Sequence, residues 1–529
     1  MRANRFRALV AVLAVIAIVF ATLIALGLYF GPSTSSETFP QAPAQLTPGP
    51  AANATVLPSN SLGVDLRADY SLDGPQGSAV ISAGVHFVRW PGGALADRFD
   101  PLADGGSGLI YGNDGAPTLP ATTMADFVTW CRSTDCSAII TLPGEIDDPA
   151  YAAQEVNEFV HNLSYAPAYW EIGNEPGIWS HFQVAWADWA PNQTYPPSPQ
   201  QYALEVNQYI SAIRAVDPST PILGLPGVGT GGSSDPAWLQ ATVQMNGPNI
   251  SGVAIHVYPV SSSQANGTLT EFYGSLTSAG GLTARIATDE ATIEAACPTC
   301  TIPILVDEIS VESTPGSSLN SGFPWIPYEA AEIIQGIDAN VTAELFWVAQ
   351  GSYPATWVSA SGSVQPIYSL FSPLFSPLPA YHQPLTITST VGGIYGALLG
   401  PSGSNPSMLA IVNTNGSWAV SVNLSSAIPV AEAGTLWTWS NSSGTPQSHG
   451  GAGGVPSNWV LPPGSLFVWR ASGSPMKAAP TAPAPRGVAA RAPTFADAQG
   501  PSTAGIPSGP TNVRSEPIVL ARFSSGRMG

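Results

Sequence analysis

Short apolar runs alternate with longer segments of helical periodicity through the middle of the chain. Continuous apolar runs bounded by turn residues predict strands buried on both faces, which is typical of a parallel sheet covered by helices. The eight runs are Leu62–Asp65, Phe87–Trp90, Ala138–Leu142, Tyr169–Ile172, Pro221–Leu225, Val253–Val257, Ile304–Val306 and Leu345–Val348. The alternation of strands with helices predicts a protein of the α/β class.

The segments between these runs have the spacing of amphipathic helices. Before the fourth run the recurring apolar residues are Ala152, Val156, Phe159, Val160 and Leu163, and after it they are Tyr202, Val206, Tyr209, Ile213 and Val216. Eight strand–helix units predict a (β/α)8 TIM barrel, which we place at residues 56–375. A doubly wound open sheet is the alternative, but it usually has a glycine-rich phosphate loop after its first strand, and Val64–Arg67 is not one.

The pattern of apolar segments and turn residues changes after residue 375. Short segments of strand character are separated there by turns rich in Gly, Asn, Ser and Pro, which predicts a β-sandwich at residues 376–472. The segments are Met408–Asn413, Trp418–Val422, Leu436–Trp439 and Ser465–Trp469. We expect strand material at Ala54–Leu57, just before the barrel, to join this sandwich.

The N-terminal segment has the pattern of a membrane anchor. Arg2, Arg5 and Arg7 precede an uncharged run, Ala8–Phe30, that exceeds the ~20 residues needed to cross a bilayer. Positive flanking residues favour an N-terminus inside and a body outside. We therefore predict a transmembrane signal anchor at residues 1–30 and an extracytoplasmic location for the body of the chain. A cleaved signal peptide, and hence a secreted protein, is the alternative, although such peptides usually have shorter apolar cores.

Two segments have the composition of flexible chain. Residues 31–55 are rich in Pro, Ser, Thr and Ala and predict a flexible stalk. Residues 473–529 are rich in Pro, Ala, Gly and Ser and predict a disordered tail.

Four cysteines form two close pairs along the chain. In an exported protein the default expectation is two short-loop disulfides, Cys131 with Cys136 and Cys297 with Cys300. Zinc binding by all four is an alternative that we disfavour, because the two pairs lie in separate connections. A thioredoxin-like role for the second pair lacks a domain of the right size around it.

Charge excludes one class of partner and suggests a habitat. The chain of 529 residues has a formal net charge of −19, only 10% charged residues, and a single lysine, Lys477. No basic stripe with interleaved aromatic residues is present, so nucleic-acid binding is not expected. A surface poor in ionic groups suffers little self-repulsion when carboxylates titrate, which is compatible with an acidic habitat. A biased genome composition explains the same feature equally well.

Two glutamates end predicted barrel strands. Glu175 lies in Tyr169–Pro176, read Tyr-Trp-Glu-Ile-Gly-Asn-Glu-Pro, at the end of the fourth strand, and Glu308 lies in Pro303–Ser310 at the end of the seventh. The carboxyl ends of barrel strands meet at the active-site face, so the fold brings the two together. Hydrolysis of a glycosidic bond requires a proton donor beside the leaving oxygen and a second carboxylate. Asn174 is placed to bond a sugar 2-hydroxyl.

The neighbours of these glutamates have simpler interpretations. Glu171 suits a buried structural role. Asp307 is adjacent to Glu308, and strand alternation predicts that its side chain points to the opposite face.

These motifs resemble those of the clan A glycoside hydrolases, over residues 60–350 and with the β-sandwich after them. Arg89-Trp90-Pro91-Gly92-Gly93 is similar to the Arg-x-Pro-Gly-Gly of the α-L-arabinofuranosidase branch, while the heparanase and β-glucuronidase branch has a related Arg-x-Gly-Gly. Ile309 follows Glu308 where the arabinofuranosidases have Trp, so both branches remain open.

The resemblance implies a retaining mechanism with Glu175 as acid/base and Glu308 as nucleophile. It also implies that Arg89 and Tyr258 contact the nucleophile, that His256 belongs to a family His-x-Tyr pair, and that Trp347 floors the sugar subsite. The remaining substrate-binding candidates are Asn174 and Trp90, the latter as a lining of the cleft. The resemblance implies no metal and no organic cofactor.

The expected partner is a carbohydrate, in a polymer, an oligosaccharide or a glycoside, and the expected contact with the membrane runs through the N-terminal helix. Few arginines lie in the barrel region, which disfavours a heparan-like polymer. A non-catalytic carbohydrate-binding protein on a decayed barrel is the alternative from another class. The chain contains neither H-E-x-x-H nor G-x-S-x-G, so zinc protease and serine esterase activities have no motif to support them.

Overall fold

A computed structural model describes most of the chain between residues 39 and 471. The described ranges are 39–50, 53–57, 61–111, 116–145, 148–181, 197–227, 236–310, 324–352, 356–375, 381–400, 406–424, 427, 434–440, 443–451 and 458–471. The predicted anchor at residues 1–30 and the predicted tail at residues 473–529 lie outside them. Within these ranges no helix is both long and apolar enough to cross a membrane.

Eight parallel strands close into a barrel, as the apolar runs predicted. Neighbouring strands pair in chain order, and the eighth pairs with the first, with Phe346 opposite Val64, to complete the ring. The barrel strands, numbered one to eight below, are Leu62–Asp65, Phe87–Trp90, Ser137–Leu142, Tyr169–Ile172, Ile222–Gly224, Gly252–Val257, Ile304–Ile309 and Ala343–Phe346.

A helix follows every barrel strand. In chain order these helices are Pro75–Ala83, Met124–Thr134, Pro149–Asn157, Pro199–Val216, Pro236–Asn246, Leu282–Ala296, Trp325–Asp338 and Tyr368–Phe375. The helix after strand three continues as a π-helical turn, Glu158–Asn162. Capping boxes fix two of the starts, because Thr123 and Ser198 each exchange hydrogen bonds with the residue three positions later.

Apolar side chains fill the interior of the barrel. One buried cluster draws residues from strands two, three, five, six, seven and eight, and it consists of Phe87, Ile139, Leu223, Ala254, Leu305, Ala343 and Leu345. A far larger cluster lies between the strands and the surrounding helices. The packed interior supports the strand ends that carry the polar residues, as is usual for barrels of this type.

Two sheets pack face to face as the second structural unit beside the barrel. The smaller has the strand order Leu385–Ser389, Gln41–Pro48, Ala419–Asn423, Asn458–Leu461. The larger has the order Thr55–Val56, Tyr381–Gln383, Ile394–Gly400, Met408–Asn413, Ser465–Ala471, Gly434–Ser440, Ser443–Gly451. Their apolar faces share a buried core. The sheets agree with the predicted sandwich, including its strand near residues 54–57.

One part of the predicted stalk is a strand of this sandwich. Gln41–Pro48 lies between Leu385–Ser389 and Ala419–Asn423, and its side chains alternate between exposed and buried. Ala42, Ala44 and Leu46 point into the core. The stalk prediction is therefore wrong for these residues. Their proline- and alanine-rich composition is typical of flexible chain, but every second side chain becomes buried once the segment pairs with its two neighbouring strands.

Short strands decorate two of the loops at the carboxyl end of the barrel. The loop after strand two forms a small antiparallel sheet of Phe99–Asp100, Leu109–Tyr111 and Pro117–Thr118. The loop after strand eight forms a parallel pair, Gln350–Gly351 with Val358–Ser359.

The four cysteines form the two predicted pairs. Cys131 bonds Cys136 with their Cα atoms 4.8 Å apart, and Cys297 bonds Cys300 with their Cα atoms 5.3 Å apart. Each bridge closes a connection between a helix and the next barrel strand.

Carboxyl groups are buried where the helix Trp325–Asp338 packs on strand eight. Glu329 and Glu332 on the helix and Glu344 on the strand are almost wholly inaccessible. A Cβ atom added to Gly336 would lie 1.2 Å from Oε1 of Glu344, so this side chain lies directly against the helix backbone. Burial raises the pKa of Glu332 and of Glu344 well above the usual value, and the neighbouring charge of Glu329 adds to both shifts.

We predict that these buried acids make the fold more stable in acid. A carboxyl group whose folded pKa is raised contributes stability below its unfolded pKa of about 4.3, and loses it as the pH rises towards the folded pKa. Thermal unfolding between about pH 3 and pH 8 should show stability falling from about pH 4 upwards. Glu332→Gln and Glu344→Gln should each flatten that slope, whereas Glu290→Gln on an exposed helix face should leave it unchanged. Slopes that stay identical in all three variants would contradict the prediction.

Candidate active site

Polar side chains from several strands meet at the carboxyl end of the barrel. The sequence predicted site residues at the ends of strands two, four, six, seven and eight. Each of these strands has predicted site residues at the same open end of the barrel. The residues concerned are Arg89, Asn174, Glu175, His256, Tyr258, Glu308 and Trp347.

Arg89 lies at the centre of this group and is fully buried. Its Nη1 donates to Oε1 of Glu308 at 2.6 Å and to Oδ1 of Asp65 at 3.2 Å. Its Nε and Nη2 donate to Oε1 of Glu171 at 2.8 and 2.6 Å. Nη2 also donates to Oδ1 of Asn174 at 2.9 Å. The guanidinium thus fixes side chains from strands one, four and seven at once.

Glu308 receives hydrogen bonds on both carboxylate oxygens. Arg89 binds Oε1, and the hydroxyl of Tyr258 donates to Oε2 at 2.5 Å. Burial raises the pKa of Glu308, while the positive charges of His256 and Arg89 act in the opposite direction. Both hydrogen bonds favour the ionised carboxylate and fix its orientation.

His256 lies between the two candidate catalytic carboxylates. Its Nδ1 is 3.2 Å from Oε1 of Glu175 and 3.4 Å from Oε2 of Glu308, and its Nε2 is 3.5 Å from Oδ2 of Asp307. Burial alone would lower the pKa of His256, but the charges of Glu308 and Asp307 and the hydrogen bonds to Asp307 and Glu175 hold it well above its usual value. The ring therefore lies within reach of both glutamates, and the surrounding carboxylates favour its protonated form.

The ring of His256 packs directly against a glycine. Gly227, after strand five, has a φ of 52°, and a Cβ atom there would lie 2.4 Å from Cγ of His256. Only a residue without a side chain lets the histidine occupy this position.

Asp307 points into the site, contrary to the prediction from strand alternation. The register between strands six and seven shifts so that Ile255 faces Val306 while His256 faces Glu308. Asp307 is the extra residue of this bulge, and its Oδ2 lies 3.4 Å from Nε of Arg89. Burial opposes ionisation, but His256 and Arg89 hold the pKa of Asp307 below its usual value. A bulge therefore lets two consecutive acidic residues share one face.

Glu171 has the buried structural position that the sequence suggested. It is fully buried, and its Oε1 accepts hydrogen bonds from Arg89 and from Oγ1 of Thr141. Burial raises the pKa of Glu171 to about 8. Its contacts are with the arginine rather than with the open cleft, so it supports the site from below.

Trp90 does not line the cleft, so that prediction is wrong. Its ring is fully buried, stacks on Phe127 with centroids 4.6 Å apart, and contacts Phe99 and Phe159 edge-on. Side chains alternate along strand two, so Arg89 faces the barrel axis and its neighbour faces the helices.

Trp347 packs against the glycine motif that follows strand two. Gly93 has a φ of 63°, and a Cβ atom there would lie 2.1 Å from Cη2 of the Trp347 ring. The second glycine of the Arg-Trp-Pro-Gly-Gly motif is therefore required both by its backbone conformation and by the approach of the indole.

Glu175 is the more accessible of the two glutamates. Its side chain is 17% exposed, against 5% for that of Glu308. Its backbone lies in the left-handed region with a φ of 48°, which is uncommon for a residue with a side chain. Such conformations occur at sites where the surrounding structure enforces them.

Sequence reasoning missed two carboxylates of the site. Asp65 ends strand one and binds Arg89, and Asp97 lies in the irregular segment after strand two and accepts four hydrogen bonds. Asp65 could have been found, because it ends a barrel strand at the same level as the other candidates. No local pattern marks Asp97.

Comparisons with known proteins agree on the fold. No protein-family model matches the chain, and no curated protein matches it. Among solved structures, a GH51 arabinofuranosidase from Xanthomonas axonopodis pv. citri is 14% identical with a TM-score of 0.63, over 81% of this chain and all of that one. A bifunctional glucanase-xylanase from a metagenome library is 13% identical with a TM-score of 0.59, over 82% of this chain and all of that one.

A third similar structure is a GH44 xyloglucanase from Paenibacillus polymyxa. It is 9% identical with a TM-score of 0.56, over 82% of this chain and all of that one. The chain therefore resembles the clan A glycoside hydrolases in its fold, as the strand-end motifs indicated.

We predict that Arg89→Met lowers the free energy of unfolding by about 3–5 kcal/mol, because it leaves several buried carboxylates without their cation. Arg67→Met is the matched control. Arg67 forms a partly exposed ion pair with Asp69, so its loss should cost less than about 1 kcal/mol. Denaturant unfolding followed by circular dichroism measures both. Equal losses in the two variants would refute a structural role for the buried arginine.

We predict that Gly93→Ala displaces Trp347. Gly106→Ala is the control, because Gly106 also has a positive φ but no heavy atom within 4 Å of an added Cβ. Both variants carry the left-handed strain of about 1 kcal/mol, and only Gly93→Ala adds the clash. Tryptophan fluorescence and thermal unfolding should change clearly more in Gly93→Ala. Indistinguishable variants would show that the indole does not depend on this glycine.

Proposed function

We propose that the protein is a retaining glycoside hydrolase with an extracytoplasmic active site. The observation that carries this proposal is the pairing of Glu175 and Glu308 on a single nitrogen atom, Nδ1 of His256. A pair of carboxylates at the carboxyl end of a barrel is the arrangement that glycosidic hydrolysis requires.

The separation of the two carboxylates supports retention. Oε1 of Glu175 and Oε2 of Glu308 cannot lie farther apart than the sum of their distances to Nδ1 of His256, which are 3.2 and 3.4 Å. Retaining enzymes hold their carboxyl groups about 5–5.5 Å apart, and inverting enzymes hold them about 6.5–9.5 Å apart to admit a water molecule. The limit set by His256 applies to one oxygen of each glutamate, and it is compatible with the retaining arrangement.

The environments of the glutamates assign their roles. Glu308 is the more buried and accepts hydrogen bonds from Arg89 and Tyr258, which stabilise the anion that a nucleophile must be. Glu175 is the more exposed, which suits a group that must exchange protons with a leaving group and then with water. Glu308 therefore attacks the anomeric carbon while Glu175 protonates the leaving oxygen. Glu175 then removes a proton from the water that releases the sugar.

Two further residues are proposed to bind the sugar. Oδ1 of Asn174 accepts from Arg89, so Nδ2 is the group that we propose as the donor to the 2-hydroxyl. Trp347 provides an apolar face for the sugar ring beside Gly93.

A neutral glycan is the substrate class that we propose. Arg89 is fully committed to carboxylates and His256 lies between three of them, so neither is free to bind an anionic polymer. Arabinofuranosides, xylosides and glucans are the candidates, in keeping with the names of the similar structures. A single β-glucuronide remains a candidate through the other family branch.

Export of the catalytic domain is part of this proposal. It rests on the apolar run Ala8–Phe30 after three arginines, and on the two short disulfides, which are typical of oxidising compartments. The same segment would hold the protein at the membrane.

We predict hydrolysis of one member of an aryl glycoside panel that spans arabinofuranoside, xyloside, glucoside, galactoside and glucuronide. Glu308→Ala should lower kcat by about 10³-fold or more, because the nucleophile is lost. Adding azide to Glu175→Ala should yield a glycosyl azide of retained configuration with an activated substrate. The exposed variant Glu290→Ala serves as the control and should keep full activity. Polysaccharide digestion extends the panel to endo-acting enzymes, and silence in both assays would reject the proposed activity.

A further inference from the structure

Asp97 is a buried carboxylate with four hydrogen-bond donors and no contact with the open cleft. Its Oδ1 accepts from the backbone N–H groups of Gly144 at 3.0 Å and Glu145 at 3.3 Å. Its Oδ2 accepts from the backbone N–H of Asn174 at 3.1 Å and from Nε1 of Trp179 at 3.2 Å. One side chain thus joins the loops after strands two, three and four.

Three hydrogen bonds hold the two consecutive peptide groups on either side of the Asn174 Cα atom. The N–H of Asn174 donates to Asp97, and the carbonyl oxygen of Asn174 accepts from Nε1 of Trp179 at 2.8 Å. The N–H of Glu175 donates to the carbonyl of Pro226 at 2.9 Å. Since Trp179 is itself bonded to Asp97, the aspartate contributes to two of these three restraints.

Glu175 needs such restraint because its backbone is in an unfavourable conformation. A φ of 48° is strained for a residue with a side chain, and it persists only where neighbouring groups enforce it. This conformation directs the carboxyl group towards His256 and Glu308.

We propose that Asp97 is a positioning residue that holds Asn174 and Glu175 in the orientation required for proton transfer. This inference rests on the proposed hydrolase function. Asp97 does not touch the reacting atoms, and it acts through the backbone of Asn174 and the indole of Trp179.

A carboxylate suits this position because all four partners are donors. An ionised aspartate offers acceptors only, whereas an asparagine would turn an NH2 group towards two of the N–H groups. Burial raises the pKa of Asp97 to about 7, while the four donated hydrogen bonds favour its charged form. The carboxyl of Glu145, the guanidinium of Arg98 and the phenol of Tyr202 also interact electrostatically with Asp97. The tests are therefore best made near pH 8.

The decisive variant is Asp97→Asn, and Asp100→Asn is its matched control. Asp100 lies three residues later, is also buried, and likewise holds backbone N–H groups, those of Leu102 and Ala103, together with the hydroxyl of Tyr151. None of these partners adjoins Glu175, so the control reports what the loss of a loop-holding carboxylate does by itself.

The first measurement compares two glycosides of the accepted sugar in the full-length protein. The phenyl glycoside needs protonation of its leaving group, and the 2,4-dinitrophenyl glycoside does not. Asp97→Asn should lower kcat/KM for the phenyl glycoside about 10- to 100-fold and kcat/KM for the dinitrophenyl glycoside less than about threefold, because kcat/KM reports the glycosylation step, in which only the phenyl leaving group needs general acid catalysis. Asp100→Asn should affect both equally. An equal effect on both substrates in Asp97→Asn would overturn the proposal.

The second measurement needs no substrate. Hydrogen exchange of the peptide that contains Asn174 and Glu175 should be at least about tenfold faster in Asp97→Asn than in the parent and in Asp100→Asn, since its restraint is lost. Unchanged exchange would refute the positioning role even if the protein is a hydrolase. Faster exchange in a protein that cleaves no glycoside would reject the hydrolase function and leave the restraint of Glu175 standing.

Discussion

The buried guanidinium of Arg89 is the interaction on which the site depends. A single positive charge without access to water holds Glu308, Asp65, Glu171 and Asn174, which come from different strands. Removing so many carboxylates from water is costly, and only a fixed, bidentate cation can compensate for it. The barrel provides that cation at a strand end, where its long side chain can reach across the mouth to several neighbours. The central charge thus fixes Glu308 directly, and on the side of Glu175 it reaches the neighbouring Asn174.

Shifts in pKa act on the buried acids of the site in addition to the charge of Arg89. Burial raises the pKa values of Asp65 and Glu171, while the imidazolium of His256 and the guanidinium together lower that of Asp307. The group thus divides into acids that tend to stay neutral and acids that stay charged. Arg89 contacts members of both sets, since it binds Asp65 and Glu171 as well as Asp307 and Glu308.

The rest of the fold rigidifies this mouth. The apolar interior of the barrel blocks movement from below, and the glycines at 93 and 227 let Trp347 and His256 approach the backbone closely. Asp97 holds together the loops after strands two, three and four, because it accepts hydrogen bonds from two donors in each of the last two loops. Burial also raises the pKa values of Glu332 and Glu344 beside the helix Trp325–Asp338, so it favours their neutral forms.

The sequence alone determined the eight barrel strands, the sandwich, both disulfides and the convergence of Glu175 and Glu308, because periodicity and strand-end position are local properties that the barrel converts into proximity. Only the tertiary structure decided the rest. A β-bulge in strand seven directs the side chain of Asp307 into the site. The side chain of Trp90 faces the surrounding helices and is buried there. The segment Gln41–Pro48 forms a strand because it pairs with two others. Each of these outcomes depends on the register between segments distant in the chain, which no local pattern encodes.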